Sequence, residues 1–167
     1  MRQRMSDSKD ILREGIVSFF FLGRAPVAPG TFGSFGAVIL AYLITTYIAS
    51  FAGFLLLGLA AVFYYIGLQL APWCEEKFDN DPGIFVLDEV IGYLIPIGFL
   101  IILSVEIETV LWILSFIFFR IFDVIKIWPA KDLENIGGGN GILLDDVAAG
   151  FQTLILILLI EQLGFLP

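Results

Sequence analysis

A chain of 167 residues that is 59% hydrophobic and only 16% charged, with a mean hydropathy of +0.94, carries more apolar material than a soluble core of that size can hide. Lipid is its natural solvent, and any chemistry has to sit on membrane helices. A net charge of −8, no histidine and one cysteine exclude a nucleic-acid-binding stripe, an internal disulfide, a zinc-type cysteine cluster and every His-activated nucleophile.

Residues 1–14 carry both signs of charge and read as a cytoplasmic N-terminal tail, followed by a single transmembrane helical domain over 15–167. The apolar run from Gly15 to Gly23 is short for a secretory leader and is preceded by Asp7, Asp10 and Glu14, so an interfacial or re-entrant helix is expected there. From Ala25 to Cys74 no charge occurs, which is room for two spans, 32–50 and 54–73, with a turn near Ser50 to Gly53. Cys74 itself reads as a small residue at a helix end. A polar stretch from Glu75 to Gly83 reads as a loop, and a third span covers 84–104, interrupted by Asp88 and Glu89. Glu106 and Glu108 mark a short turn, a fourth span covers 109–128, and Pro129 with Gly137, Gly138, Gly139 and Gly141 marks a loop before a fifth span, 141–160. The fold class is therefore an all-α integral membrane protein, a bundle of about five transmembrane helices with an N-terminal interfacial helix.

With five crossings, all nine basic residues (Arg2, Arg4, Lys9, Arg13, Arg24, Lys77, Arg120, Lys126 and Lys131) fall on the side of the N-terminus, while Glu106, Glu108 and Glu161 fall opposite. The positive-inside rule then makes the N-terminus cytoplasmic and the C-terminus external. The same topology brings Thr31, Asp88, Glu89, Arg120, Asp123, Lys126, Asp145 and Asp146 to one membrane depth, at the cytoplasmic end of the bundle.

A carboxylate at the centre of a spanning helix costs roughly 2.5–3.5 kcal/mol on insertion scales, less near the ends, so Asp88, Glu89, Asp123, Asp145 and Asp146 require compensation. Arg120 and Lys126 balance at most two of them. A bound divalent cation balances more, and an acid-rich site without histidine points to Mg²⁺ rather than zinc. Arg120, Asp123 and Lys126 recur at intervals of three and share a helical surface, where Arg offers a planar fork and Lys a point charge for phosphate oxygens. Asp145 and Asp146 follow a glycine-rich loop whose amides and helix start suit an anion. Pro29-Gly30-Thr31 reads as a helix start with Thr31 as the capping hydroxyl, or as a contact to substrate phosphate.

Four stretches resemble the phosphatidylglycerophosphatase A family of bacterial membrane lipid phosphatases: Ala28-Pro29-Gly30-Thr31-Phe32-Gly33-Ser34, Val86-Leu87-Asp88-Glu89-Val90-Ile91-Gly92, Phe119-Arg120-Ile121-Phe122-Asp123-Val124-Ile125-Lys126-Ile127-Trp128-Pro129, and Gly138-Gly139-Asn140-Gly141 continuing through Leu144-Asp145-Asp146-Val147-Ala148-Ala149-Gly150. Ile127 stands where the family pattern often has proline and Gly137 where it can have histidine. Neither change removes an acid or a cation of the site. The resemblance implies Mg²⁺-dependent removal of the terminal phosphate of phosphatidylglycerophosphate in the inner (plasma) membrane, leaving phosphatidylglycerol. In that reading some of Asp88, Glu89, Asp123, Asp145 and Asp146 hold the metal and do the chemistry, and Thr31, Arg120 and Lys126 bind the phosphate. Attack by water and passage through an aspartyl-phosphate both remain open. The expected partners are the lipid substrate and the surrounding membrane, with no nucleic acid and no obligate protein partner. The alternative is an ion-coupled transporter with a buried acidic site, although the outer halves of the spans hold almost nothing ionisable. A phosphatidyl-group transferase would carry Asp-Gly and Ala-Arg dipeptides, and the chain has neither.

Overall fold

The computed structural model describes residues 2–78, 83–105 and 108–165, with side chains from residue 8 onward. Glu106, expected at the outer turn, lies outside them, as does part of the polar stretch after Lys77. The described residues are helical without a strand: α1 (Arg2–Val17), a 3-10 turn (Leu22–Arg24), α2 (Pro29–Tyr47), a second 3-10 turn (Ala49–Phe51), α3 (Ala52–Phe78), α4 (Leu87–Ile102), α5 (Thr109–Ile125), α6 (Ala130–Glu134) and α7 (Gly138–Gln162). Among the described residues, three segments are long and apolar enough to cross a membrane: Pro29–Tyr47, Ala49–Phe78 and Gly138–Gln162. The third and fourth expected spans correspond to α4 and α5, which have only 16 and 17 residues.

Where the boundaries differ from expectation, local chemistry accounts for it. The helix is not confined to the Gly15–Gly23 region: α1 takes up the charged tail, and the chain then turns on Phe19, Phe20 and Phe21, all in the left-handed region (φ 44, 58 and 67). Lys77 reaches Asp10 at 3.1 Å, and Arg13 and Lys77 lie over the Trp73 ring, so α1 gains a packing partner in the last turns of α3. α3 accordingly runs through Glu75, Glu76 and Lys77 to Phe78 instead of stopping near residue 73. Proline is preorganised for the first helical position, and α2 begins at Pro29. Thr31 therefore sits inside the first turn and is not the cap. α5 ends at Ile125 because Lys126 turns left-handed (φ 52), its N–H still reaching the Phe122 carbonyl at 2.8 Å. α7 starts before residue 141, at Gly138, with Gly137 and Gly138 at φ 74 and 59, a conformation that costs glycine little.

α4 is the axis of the bundle, in contact with α2, α3, α5 and α7. Tyr93, Leu94, Ile97 and Leu100 on it are fully buried. Lipid gives helices no hydrophobic reason to associate, so close packing between small residues has to supply the contact. Gly53 on α3 meets Gly98 on α4, and Gly150 on α7 meets the Gly92 carbonyl on α4 so closely that a Cβ at either site would overlap main-chain atoms. The Gly92–Gly150 contact sets the start of α4 beside the middle of α7, close to the paired acids Asp88 and Glu89 on the one and Asp145 and Asp146 on the other.

Candidate active site

Asp88 and Glu89 stand in the first turn of α4, and the Glu89 N–H donates to Asp88 Oδ1 at 3.0 Å. Asp145 and Asp146 repeat the arrangement on α7, with the Asp146 N–H donating to Asp145 Oδ1 at 3.0 Å. In each pair the first carboxylate accepts the main-chain N–H of the second. Glycine packing of α4 on α7 then brings an oxygen of each of Asp88, Glu89 and Asp146 within 4.8 Å of the others. Glu89 Oε2 and Asp146 Oδ2 are buried with no hydrogen-bond partner. Buried carboxylate oxygens without a donor are costly, and the three acids lie close enough together to share one cation.

The two cations take different places. Arg120 on α5 contacts Asp123 Oδ2 at 2.6 Å and Glu89 Oε1 at 3.6 Å, and donates to Ser34 Oγ at 3.2 Å. It stands behind Glu89 and Asp123 and is not part of the cavity lining. Ser34 in turn donates to the Gly30 carbonyl at 2.9 Å, so α2 braces the guanidinium. Lys126 does face the cavity, with its Nζ 2.7 Å from Asp145 Oδ2 and 2.6 Å from Glu134 Oε1.

The cavity holds about 540 Å³ and is walled by Asp88, Glu89, Asp123, Lys126, Glu134, Asp145 and Asp146, with Pro29 and Gly30 of α2, Glu75 of α3 and the glycines at 137 and 138. It thus gathers all five expected acids and one of the two expected cations. Thr31 lies one residue past the lining. Three participants were not expected from sequence: Glu134, Ser34 and Gln152, whose Nε2 donates to the Trp128 carbonyl at 2.9 Å and ties down the bend beyond Lys126. Glu134 had a weak signal as an acid eight residues after a site lysine. Ser34 had only its place at the end of the Ala28–Ser34 stretch, and Gln152 had none.

Gly30 is the close-approach point of this site, since a Cβ there would overlap the Glu89 carboxylate and crowd Arg120. The obstacle is the mobile end of a side chain, so Gly30→Ala is expected to leave the melting temperature nearly unchanged. Displacing a reacting carboxylate by about 1 Å costs up to about 100-fold in rate. Any turnover at this cavity is therefore expected to fall on the order of 10- to 100-fold, and assaying both quantities on one preparation checks the separation.

A family model described as Phosphatidylglycerophosphatase A matches residues 15–161. A Bacteroides thetaiotaomicron protein provisionally named phosphatidylinositol-3-phosphatase is 34% identical over 143 residues, covering 83% of this chain and 86% of the relative. Phosphatidylglycerophosphatase A of Escherichia coli is 30% identical over 156 residues, covering 89% and 81%, and that of Haemophilus influenzae is 30% identical over 137 residues, covering 80% and 79%. No solved structure matches the chain. None of these relatives bears a transporter's name, and the transporter alternative has no support.

Proposed function

The chain belongs to the phosphatidylglycerophosphatase A family and is a phosphatase, and from that premise we propose that it hydrolyses phosphatidylglycerophosphate to phosphatidylglycerol and inorganic phosphate, with Mg²⁺, at the cytoplasmic face of an inner membrane. The observation that carries this reading is the convergence of Asp88, Glu89 and Asp146, two of them with unpartnered buried oxygens, beside a cavity that Lys126 faces.

The donor set fits a hard cation: three carboxylates, no histidine and no thiolate, with a cavity wide enough for retained waters and a phosphate. Asp88, Glu89 and Asp146 would hold Mg²⁺, which when bound supplies charge neutralisation of the phosphoryl oxygens. Lys126 binds a phosphate oxygen as a point charge, and Asp145 holds its ammonium in place. Arg120 acts through its neighbours, keeping Asp123 and Glu89 in position. Water attacks phosphorus, the bond from phosphorus to the lipid oxygen breaks, and the departing oxygen gains a proton as phosphatidylglycerol is released.

The proposed topology has five crossings, with a cytoplasmic N-terminus and an external C-terminus. α4 reaches spanning length when the apolar residues flanking it are counted, and the bundle around it shields that helix from lipid, whereas the 17 residues of α5 lie directly between Glu108 and Lys126. Lys77 at the end of α3 pairs with Asp10 of α1, and Lys126, just past α5, pairs with Glu134 of α6 and with Asp145 of the acid cluster, so basic residues from several elements gather towards the end of the bundle where the acids lie.

Purified protein in detergent is expected to release phosphate from phosphatidylglycerophosphate with Mg²⁺ and to stop when excess chelator is added. Phosphatidylinositol 3-phosphate is assayed alongside, because the Bacteroides relative's name points to that lipid. Faster turnover of the inositol lipid would reassign the substrate, and no release from either by folded, metal-loaded protein would overturn the reading.

A further inference from the structure

Lys126 is the cation that faces the cavity, yet both of its close contacts are already carboxylates. The two partners are unlike. Asp145 is on the long helix α7 with its side chain 6% exposed, whereas Glu134 ends the five-residue helix α6 with its side chain 45% exposed. We infer that Glu134 is an internal competitor for substrate, holding the Lys126 ammonium until an incoming phosphate displaces it. The inference rests on the phosphatase reading and adds to it a residue that sets affinity for phosphate and for product.

The geometry separates what can move from what cannot. Gly141 of α7 approaches the Glu134 carbonyl so closely that a methyl there would overlap it, so the Glu134 backbone is held against α7. Its side chain is free to swing towards solvent about its own rotatable bonds. Asp145 has no such freedom, since it also accepts the Asp146 N–H. A phosphate dianion drawn to Lys126 meets like charge at Glu134, and the exposed carboxylate is the one that yields. When phosphate is the product, the returning Glu134 speeds its departure.

An exposed ion pair contributes at most about 1 kcal/mol, so removing the competitor is expected to tighten phosphate binding by up to about fivefold. Inorganic phosphate is titrated calorimetrically into Mg²⁺-loaded wild type, Glu134→Gln and Glu134→Asp, and the KM for phosphatidylglycerophosphate and product inhibition are measured on the same samples. Tighter phosphate binding, a lower KM and stronger product inhibition in Glu134→Gln, with Glu134→Asp nearer to wild type, support the inference. Unchanged or weaker phosphate binding in Glu134→Gln overturns it and makes Glu134 a support for Lys126. Absence of hydrolysis by the wild type would count against the phosphatase reading alone, because the calorimetric comparison does not depend on turnover.

Discussion

Replacing Asp146 by asparagine is expected to abolish phosphate release while making the metal-free protein harder to unfold. Asp146 is 3% exposed, shares its site with Asp88 and Glu89, and has one oxygen without a donor. Five acids crowd around Arg120 and Lys126, so the isosteric amide removes repulsion that only a bound cation would otherwise offset. Electrostatic stabilisation by a catalytic metal is worth several kcal/mol and each 1.36 kcal/mol is tenfold in rate, so a loss of at least about 100-fold is expected. Asp88→Asn is expected to behave in the same way. Melting curves with and without Mg²⁺ provide the check: wild type should gain stability on adding metal, by the linkage between binding and folding, and the variants should gain little. An active Asp146→Asn enzyme, or one whose stability still rises fully with Mg²⁺, would remove Asp146 from the site.

Gly150→Val is expected to destroy both the fold and the activity. A Cβ at residue 150 would run into the main chain of Gly92, which cannot rotate away, and Gly92 itself has the Phe119 ring and the Asp146 carbonyl against it. Separating α4 from α7 should cost at least about 3 kcal/mol, the upper end for overpacked cores. It also pulls Asp146 away from Asp88 and Glu89. Gly58→Ala is the matched control. Its Cβ would meet nothing within 4 Å, and alanine in a helix interior is favoured over glycine by about 0.5–1 kcal/mol. Monodispersity in detergent and thermal unfolding of the two variants should diverge sharply, and a well-folded, active Gly150→Val protein would contradict the packing described here.

Those two experiments also separate what the sequence makes legible from what it does not. An acid within an apolar run is conspicuous because lipid makes it expensive, and Asp88, Glu89, Asp123, Asp145 and Asp146 stand out for that reason. Counting five spans gives them one expected depth, so these five could be grouped without coordinates, whereas Glu75 and Glu134, which line the same cavity, could not. The roles of the cations could not be divided in that way. Arg120 and Lys126 are six residues apart on what reads as one helix, but α5 stops at Ile125, and the left-handed turn at Lys126 sends one behind the acids and the other into the cavity. Glu134 escaped notice because a five-residue polar helix has no periodicity to detect. Likewise α1 read as a tail, since its charges are of both signs and its stabilising partners, Trp73 and Lys77, are some sixty residues away. Packing between distant segments, not local propensity, orders it.

The shortness of α4 gives the active site a position in depth. α3 continues well beyond the level of Gly67, beside which Phe85 and the entry to α4 lie, as far as Phe78. At 1.5 Å per residue those eleven residues rise roughly 16 Å. Glu75 on this stretch lines the same cavity as Asp88 at the start of α4. Under the proposed function, the reacting groups would lie in a well below the end of α3 rather than on a platform. A phospholipid would not have to be lifted out of its leaflet to be cleaved: its headgroup could bend inward towards the floor while its chains stayed among their neighbours. Soluble phosphate esters would have to descend the same well without chains to hold them there, and depth by itself would favour lipid substrates.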